Sequence, residues 1–235
     1  MSSRSSTGRA TASKYGDIQR LDRILEAEGD SPNRYKVSKQ ADVLMLFYLF
    51  SVDELQMLLE RLGYSFDRQA IPRTVRYYLD RTSHGSTLSA VIHAWVMARS
   101  DRARSWDCFR EALDSDIADI QGGTTAEGIH LGAMAGTLDL LHRCYLGLEM
   151  RGNVLYLDPA MPEPVRRLKV RLRYRRHMLT VEVTGRELRV TSQPLVASPI
   201  SVAYRGRLRE LSPGMTHRFR LIAAGRAPQV ETGLP

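Results

Sequence analysis

Asp119-Ile120-Gln121-Gly122-Gly123-Thr124-Thr125-Ala126-Glu127-Gly128-Ile129-His130 runs without a break into Leu131-Gly132-Ala133-Met134-Ala135-Gly136. It reads as a small-residue, hydroxyl-rich turn feeding a helix that is almost uncharged after Glu127. Gly122-Gly123 interrupts whatever precedes it. Thr124 or Thr125 is placed to N-cap the next helix, whose first-turn N–H groups have no intrahelical partners. A helix N-terminus with two hydroxyls beside it is a natural anion site. A capped helix with glycines for close packing is the plainer reading of the same residues.

Working outward, the same kind of junction recurs upstream. Arg81-Thr82-Ser83-His84-Gly85-Ser86-Thr87-Leu88-Ser89 is a second hydroxyl-rich turn leading into a helix, with Leu88, Val91, Ile92, Trp95 and Val96 expected inward. Lys39, Gln40 and Asp42 stand at the start of a third helix. Its residues 43–50 are apolar nearly all round, which predicts burial on most sides. Between these come shorter helical patterns. Ile18, Leu21, Ile24 and Leu25 share one face. Ser51 and Glu54 form a capping box, and Gly63 closes that helix. Pro72 sits at a tolerated first-turn position. Residues 101–120 continue helically, with Trp106, Phe109, Leu113 and Ile117 at helical spacing, more simply core than a cofactor box. The helix after the Gly122 turn is expected to run to about Leu146 and stop at Gly147. Helices alternate in pairs, and every second junction is polar, which places Lys39-Gln40, Thr82 to Ser86, and Gln121 to Glu127 at one end of a helical bundle or barrel.

Downstream the period changes from about 3.6 to 2. Leu168, Val170, Leu172 and Tyr174 alternate with Lys169, Arg171, Arg173 and Arg175. That pattern is a strand with an apolar inner and a cationic outer face. Leu179, Val181 and Val183, then Leu188 and Val190, then Ile200, Val202 and Tyr204, then Leu208, Leu211 and Phe219 continue it as short strands of a small β-sandwich. The expected organisation is a lead-in over 1–14, a helical region over 15–157, a proline-rich linker over 158–164, the sandwich over 165–223 and a loose tail over 224–235.

Composition sets outer limits. The 235 residues are 43% hydrophobic and 26% charged, which is ordinary for a globular chain. No apolar run reaches the ~18 residues of a membrane helix, and no apolar h-region opens the chain, so neither a membrane partner nor a secretory signal is expected. Cys108 and Cys144 lack metal-type spacing and sit in helical patterns. They predict two reduced thiols, a cytoplasmic location and no metal site. The net charge of +8 is uneven. Residues 1–164 hold 19 Lys+Arg against 22 Asp+Glu, whereas residues 165–235 hold 15 against 4. A basic module of this kind could bind nucleic acid or acidic lipid. The strand pattern favours a solvated arginine face, with no nucleic-acid partner.

Three long stretches carry a resemblance. KQADVLMLFYLFS (39–51), YYLDRTSHGSTLSAVIHAWV (77–96) and DIADIQGGTTAEGIHLGAMAGTLDLL (116–141) closely resemble, in the same order, glycoside hydrolase family 65. That family holds the trehalose, maltose and kojibiose phosphorylases and the acid trehalases, and the likeness extends over about residues 16–219. It implies an α + β multidomain architecture: the second half of an (α/α)6 barrel followed by a small antiparallel β-sandwich. Family enzymes are several times longer in front of this segment and carry their general-acid Glu there, in a Gly-Pro-Asp-Glu-Tyr-like motif that this chain does not contain; Asp53, Glu54 and Asp80 do not match it. The chain is therefore expected to be the C-terminal part of such an enzyme, inactive by itself, and poorly soluble or self-associating unless another polypeptide carries the first half of the barrel. Dimers are common among the parents.

By resemblance the reaction is inverting phosphorolysis of an α-glucoside, with inorganic phosphate as co-substrate and no cofactor. Lys39 and Gln40 would contact the glucosyl hydroxyls. Ser83, His84, Gly85, Ser86, Thr124 and Thr125 would hold phosphate at two helix starts. Glu127 would bind a sugar hydroxyl, orient Lys39 or act as a base. His130 is expected a turn into its helix, orienting neighbours, and the remaining histidines are given no role. His84 in its Thr-Ser-His-Gly-Ser setting favours a phosphorylase over a trehalase-like hydrolase. A fragment without catalysis, binding partners through its basic β-domain, is the reading from a different class.

Overall fold

The computed structural model describes residues 21–83, 86–98, 100–119, 126 and 128–222, which fall into two compact units, Met1–Leu140 and Leu141–Pro235. The lead-in over 1–14 and the tail over 224–235 lie outside the described residues.

The first unit is helical: α1 (Leu21–Ala27), α2 (Asp42–Leu49), α3 (Val52–Arg61), α4 (Ile71–Leu79), α5 (Thr87–Met97), α6 (Arg102–Asp114) and α7 (Leu131–Asp139). A π-helical turn, Leu140–Tyr145, follows α7 at the start of the second unit. Local chemistry sets many of the ends. Leu21 and Leu25, one turn apart, are both buried on the inward face of α1. Ser51 and Glu54 close the expected capping box: the Ser51 N–H donates to Glu54 Oε2 at 2.8 Å and the Glu54 N–H to Ser51 Oγ at 3.3 Å. Pro72 occupies the first turn of α4. Gly63 ends α3 at φ +83°, where a side chain would be strained.

α5 is the centre of this unit. Ala90, Val91, Ile92, His93, Ala94 and Met97 are buried, and the helix packs against α2, α6 and α7. Leu88, Trp95 and Val96, also expected inward, are half-buried. Gly136 of α7 shows why the opening stretch is glycine-rich: a Cβ there would meet Val91 Cγ1 at 2.6 Å. The Ser105 hydroxyl of α6 donates to the Ala94 carbonyl at 2.7 Å, tying α6 to α5 through a buried bond.

Three expectations change here. Residues 43–50 are not buried on most sides: only Leu44 is fully enclosed, while Leu46 and Leu49 are 38% and 55% exposed. One face of α2 meets α5, where the Trp95 Nε1–H donates to the Phe47 carbonyl at 2.8 Å and the Tyr48 and Trp95 rings meet edge-on at 5.3 Å. The opposite face has no covering helix among the described residues. Next, Leu113 is exposed because the buried stripe of α6 runs through Ser105, Phe109 and Ala112, and Ile117 is 85% exposed because α6 stops at Asp114 and Ile117 falls in the turn beyond. Finally, α7 begins at Leu131 with His130 as its N-cap residue, not directly after Thr125.

The second unit is a β-sandwich of β1 (Leu148–Arg151), β2 (Val154–Leu157), β3 (Arg167–Tyr174), β4 (His177–Thr184), β5 (Glu187–Ser192), β6 (Ile200–Tyr204), β7 (Arg207–Leu211) and β8 (Thr216–Arg220). Two four-stranded sheets, ordered β1-β2-β6-β7 and β3-β4-β5-β8, share one core. Leu155, Leu157, Val202 and Tyr204 come from one sheet, and Leu179, Val181, Leu188 and Phe219 from the other. Each such fully buried side chain contributes about 1.5–3 kcal/mol.

The sandwich is not wholly antiparallel, since β2 and β6 pair in parallel, with Leu155 opposite Val202. It also takes in the β1–β2 hairpin, which sequence periodicity left with the helical region. Residues 158–164, expected as an interdomain linker, therefore run between β2 and β3 inside this unit. Asp158 is held there by Arg205 at 2.8 Å. Gly147 fits its stop position through tertiary contact, because a Cβ would collide with the Asp158 carbonyl oxygen at 2.2 Å. Leu208, expected inward, is 60% exposed. It lies three residues from buried Leu211, and the two-residue period puts the two on opposite faces. The cationic face is as expected: Arg167, Lys169, Arg171 and Arg173 are all exposed along β3. Glu182 of β4 is paired with Arg167 at 2.7 Å and Arg189 at 3.7 Å.

Candidate functional site

The helical unit brings two of the three polar junctions together. Ser38, just ahead of Lys39, forms a parallel bridge with Thr82, just ahead of Ser83. The Ser38 N–H donates to the Arg81 carbonyl and the Ser83 N–H to the Ser38 carbonyl, both at 2.8 Å. The Ser83 hydroxyl adds a longer bond, 3.3 Å, to the carbonyl of Lys39. Segments 44 residues apart in sequence thus enter α2 and α5 side by side.

Thr82 and Ser83 are buried, while Lys39 and Gln40 are exposed. Ser86 is the N-cap of α5, its Oγ accepting from the Leu88 N–H at 3.3 Å. Two of the expected anion donors therefore already have structural duties: the Ser83 hydroxyl on a backbone carbonyl and Ser86 as a cap. His84, Gly85, Thr124, Thr125 and Glu127 lie outside the described residues. The third junction is described only at Ala126 and from Gly128 onward.

A cleft of about 450 Å³ opens beside the bridge. Lys39 and Ser83 form part of its wall, and Leu21, Glu26, Pro32, Asn33, Tyr35 and Val37 form the rest. The last six belong to α1 and the stretch after it, where the sequence pattern showed only the apolar face of a helix. Asp30 builds that turn. Its carboxylate accepts from the Tyr35 hydroxyl at 2.5 Å, the Ser31 N–H at 2.8 Å and Arg34 Nη1 at 2.9 Å. The Tyr35 hydroxyl first, then the Ser31 amide, hold the Asp30 carboxyl below the usual carboxylate range. The Gly-Asp-Ser-Pro-Asn run at 29–33 has the composition of a turn, but nothing in it marks a place at a cleft.

At the start of α7 the structure adds another residue that the sequence reading missed. Asp116 accepts from the His130 N–H at 3.0 and 3.2 Å and pairs with His130 Nδ1 at 2.5 Å. His130 is thus the residue at the helix start, pinned by a carboxylate that also suits the positive end of α7. At the other end of α7, the Tyr48 hydroxyl donates to Asp139 at 2.6 Å and ties that end to α2. Cys108 is half-buried in α6, and burial, with Glu111 nearby, pushes its thiol up to about 11. It is therefore protonated and unreactive near neutrality.

The architecture is a helical unit with polar helix starts beside a mixed-polarity cleft and, later in the chain, a β-sandwich; sequence comparison gives the family. Residues 5–139 match the glycosyl hydrolase family 65 central catalytic domain and residues 148–211 the family 65 C-terminal domain. The chain belongs to glycosyl hydrolase family 65.

It is 58% identical over 203 residues to an uncharacterized glycosyl hydrolase of Mycobacterium tuberculosis, covering 86% of this chain and 15% of that protein. It is 37% identical over 213 residues to the trehalose 6-phosphate phosphorylase of Lactococcus lactis, covering 90% of this chain and 27% of that enzyme. The structure of a putative kojibiose phosphorylase from the human microbiome superposes with a TM-score of 0.64 at 22% identity, over 83% of this chain and 26% of that one. This last match speaks to the fold alone. The chain spans between 15% and 27% of the length of these relatives. No helix among the described residues is long and apolar enough to cross a membrane.

Proposed function

We propose that this chain is the C-terminal part of an inverting α-glucoside phosphorylase. It would act on trehalose or a related glucosyl disaccharide and give β-glucose 1-phosphate and a sugar. The observation that carries the reading is the Ser38–Thr82 bridge, which sets Lys39 and Ser83 on one cleft. A phosphorylase needs a sugar subsite and an oxyanion subsite in contact, and these two motifs are the sequence candidates for them. The name of the Lactococcus lactis relative adds trehalose 6-phosphate to the substrates to be tested.

In this reading inorganic phosphate attacks the anomeric carbon while a carboxylic acid protonates the leaving oxygen. Lys39 and Gln40 hold glucosyl hydroxyls. Residues at the start of α5, His84 and Gly85 among them, and Thr124 with Thr125 hold the phosphate, and Glu127 contacts the sugar. The acid comes from outside these 235 residues, on polypeptide that carries the rest of the catalytic domain. The exposed side chains of Leu46, Leu49, Leu131 and Leu138 support such a complement, since a helical unit complete in itself would cover them.

Sugar release from trehalose and from trehalose 6-phosphate, measured with and without phosphate, tests the proposal on the chain alone and on the chain joined to the preceding catalytic segment of a relative. Phosphate-dependent release in the joined protein, with none from the chain alone, is the expected result. Release that ignores phosphate would turn the assignment to a trehalase-like hydrolase.

A further inference from the structure

We propose that the outer face of the sheet β3-β4-β5-β8, with the loop over 193–199 at its rim, docks on the surface of an anionic lipid bilayer. This goes beyond the phosphorylase reading and does not depend on it.

The charge sits on one face. Strand register sets Lys169, Glu182, Arg189 and Arg218 in a row across all four strands. The two-residue period keeps Arg171, Arg173 and Arg220 on the same side. The carboxylates of this face are already taken, Glu182 by Arg167 and Arg189, and Glu187 by Arg189. Lys169, Arg171, Arg173, Arg218 and Arg220 are exposed and have no acidic partner among the described residues. They are spread in two dimensions, about 6.8 Å apart along β3 and about 14 Å apart between β3 and β8. A bilayer offers diffusing anions in a plane, so it can meet such an array without any fixed register.

Charge alone would suit any polyanion, and the loop narrows the choice. It leaves β5 at the end of the sheet where Arg173 faces Met178. Leu195 and Val196 on it are 45% and 94% exposed, and Met215, just ahead of β8, is 49% exposed. Tertiary bonds hold this arrangement. The Gln193 N–H donates to the Met178 carbonyl at 3.0 Å and the Ser192 N–H to the Met215 carbonyl at 2.9 Å. Buried His177 donates from Nε2 to the Ser198 carbonyl at 2.8 Å.

Apolar side chains held out beside a cationic face match an acidic headgroup layer over hydrocarbon, where electrostatic attraction and apolar burial add. Nucleic acid would use the cations but leave Leu195 and Val196 in water, and the register puts no aromatic ring on this face for a base to stack on. Cations on edge strands also deter stray pairing, but that role needs no apolar loop beside them. The strand pattern by itself shows only a solvated arginine face; the loop is placed by contacts between distant residues.

Vesicle flotation of the full chain tests this, with vesicles of phosphatidylcholine alone and of equal parts phosphatidylcholine and phosphatidylglycerol. The chain should bind the anionic vesicles and not the neutral ones, and added salt should release it. Joint replacement Lys169→Gln, Arg171→Gln and Arg173→Gln should weaken binding at least tenfold, since each cation near an anionic surface is worth about fivefold. Val196→Asp should weaken it about fivefold with the cations intact. All four positions are exposed, so melting curves should be unchanged.

Equal binding to neutral vesicles, or anionic binding that survives the triple replacement, would overturn the proposal and place lipid contact on the exposed helices of the first unit. Binding lost in the triple replacement yet untouched by Val196→Asp would overturn the seating of the loop. Duplex DNA that binds more tightly than the anionic vesicles, with no loss in Val196→Asp, would assign the face to nucleic acid instead.

Discussion

Single atoms decide several positions in this chain. Gly136 lies where α7 crosses α5, with Val91 closer than any Cβ could tolerate. Gly136→Ala should destabilise the helical unit by about 1–3 kcal/mol despite alanine's better helix propensity, because overpacking outweighs propensity. Thermal unfolding would read this directly, and adding Val91→Ala should recover part of the loss by removing the two methyl groups. Asp30 shows the same dependence in an electrostatic form. Its carboxyl titrates lower folded than unfolded, so its contribution to the turn is complete above the unfolded value of about 3.9 and is lost as pH falls through the lower folded value. NMR titration should show the Tyr35 ring signals shifting only in that acid range, and Asp30→Asn should abolish the shift. A Tyr35 response centred near pH 5 or above would contradict the sign.

At the scale of elements, the β3–β4 hairpin is held by pairing rather than by its turn. Tyr174 and His177 face each other across a two-residue loop, so Arg175 and Arg176 must both take positive φ, 46° and 68°. Such turns favour Asn-Gly, and a non-glycine residue in the left-handed region costs about 1–2 kcal/mol. Eight register pairs and the buried Val181 and Val183 impose the turn nonetheless. Arg176→Gly should therefore raise the stability of the sandwich by up to about 1 kcal/mol, measured as a shift in the denaturant midpoint. An unchanged or lower midpoint would mean that Arg176 makes a compensating contact. The hairpin also shows why periodicity succeeded where turn chemistry gave no help. The alternation of Leu168 to Tyr174, and of Leu179 to Val183, is a property of each strand, whereas the join between them carries no turn signature.

For the molecule as a whole, exposed apolar side chains occur in both units, and in the helical unit several lie on or beside α2, α3 and α7. Leu46, Leu49, Met57, Leu62, Ile129, Leu131 and Leu138 are all exposed, though α2 and α7 also carry core residues. Monomeric proteins seldom leave such surface open. Sedimentation of the chain alone should show self-association that increases with concentration, together with dye binding typical of exposed apolar surface. Supplying the preceding segment of the catalytic domain should reduce both. A monodisperse monomer with a sharp melting transition would show that these side chains need no cover. The cationic sheet of the second unit is a different surface: its arginines stand in water, and some are neutralised by Glu182 and Glu187.

The sequence alone determined the kinds of element and many of their ends. Period 3.6 giving way to period 2 separated helices from strands. Ser51 with Glu54, Pro72 and Gly63 stand at the ends they were assigned, because caps and stops act within a turn or two of chain. The three motifs were enough to reach the family. Tertiary structure alone decided which elements meet. It put Ser38 beside Thr82, Asp116 against His130, Gly136 against Val91 and β2 alongside β6. It also turned the stretch around Asp30 and Asn33 into the wall of a cleft and left one face of α2 in water. The physical reason is range. A repeating pattern records which face of an element is apolar, but the partner of that face is set by packing between segments far apart in the chain.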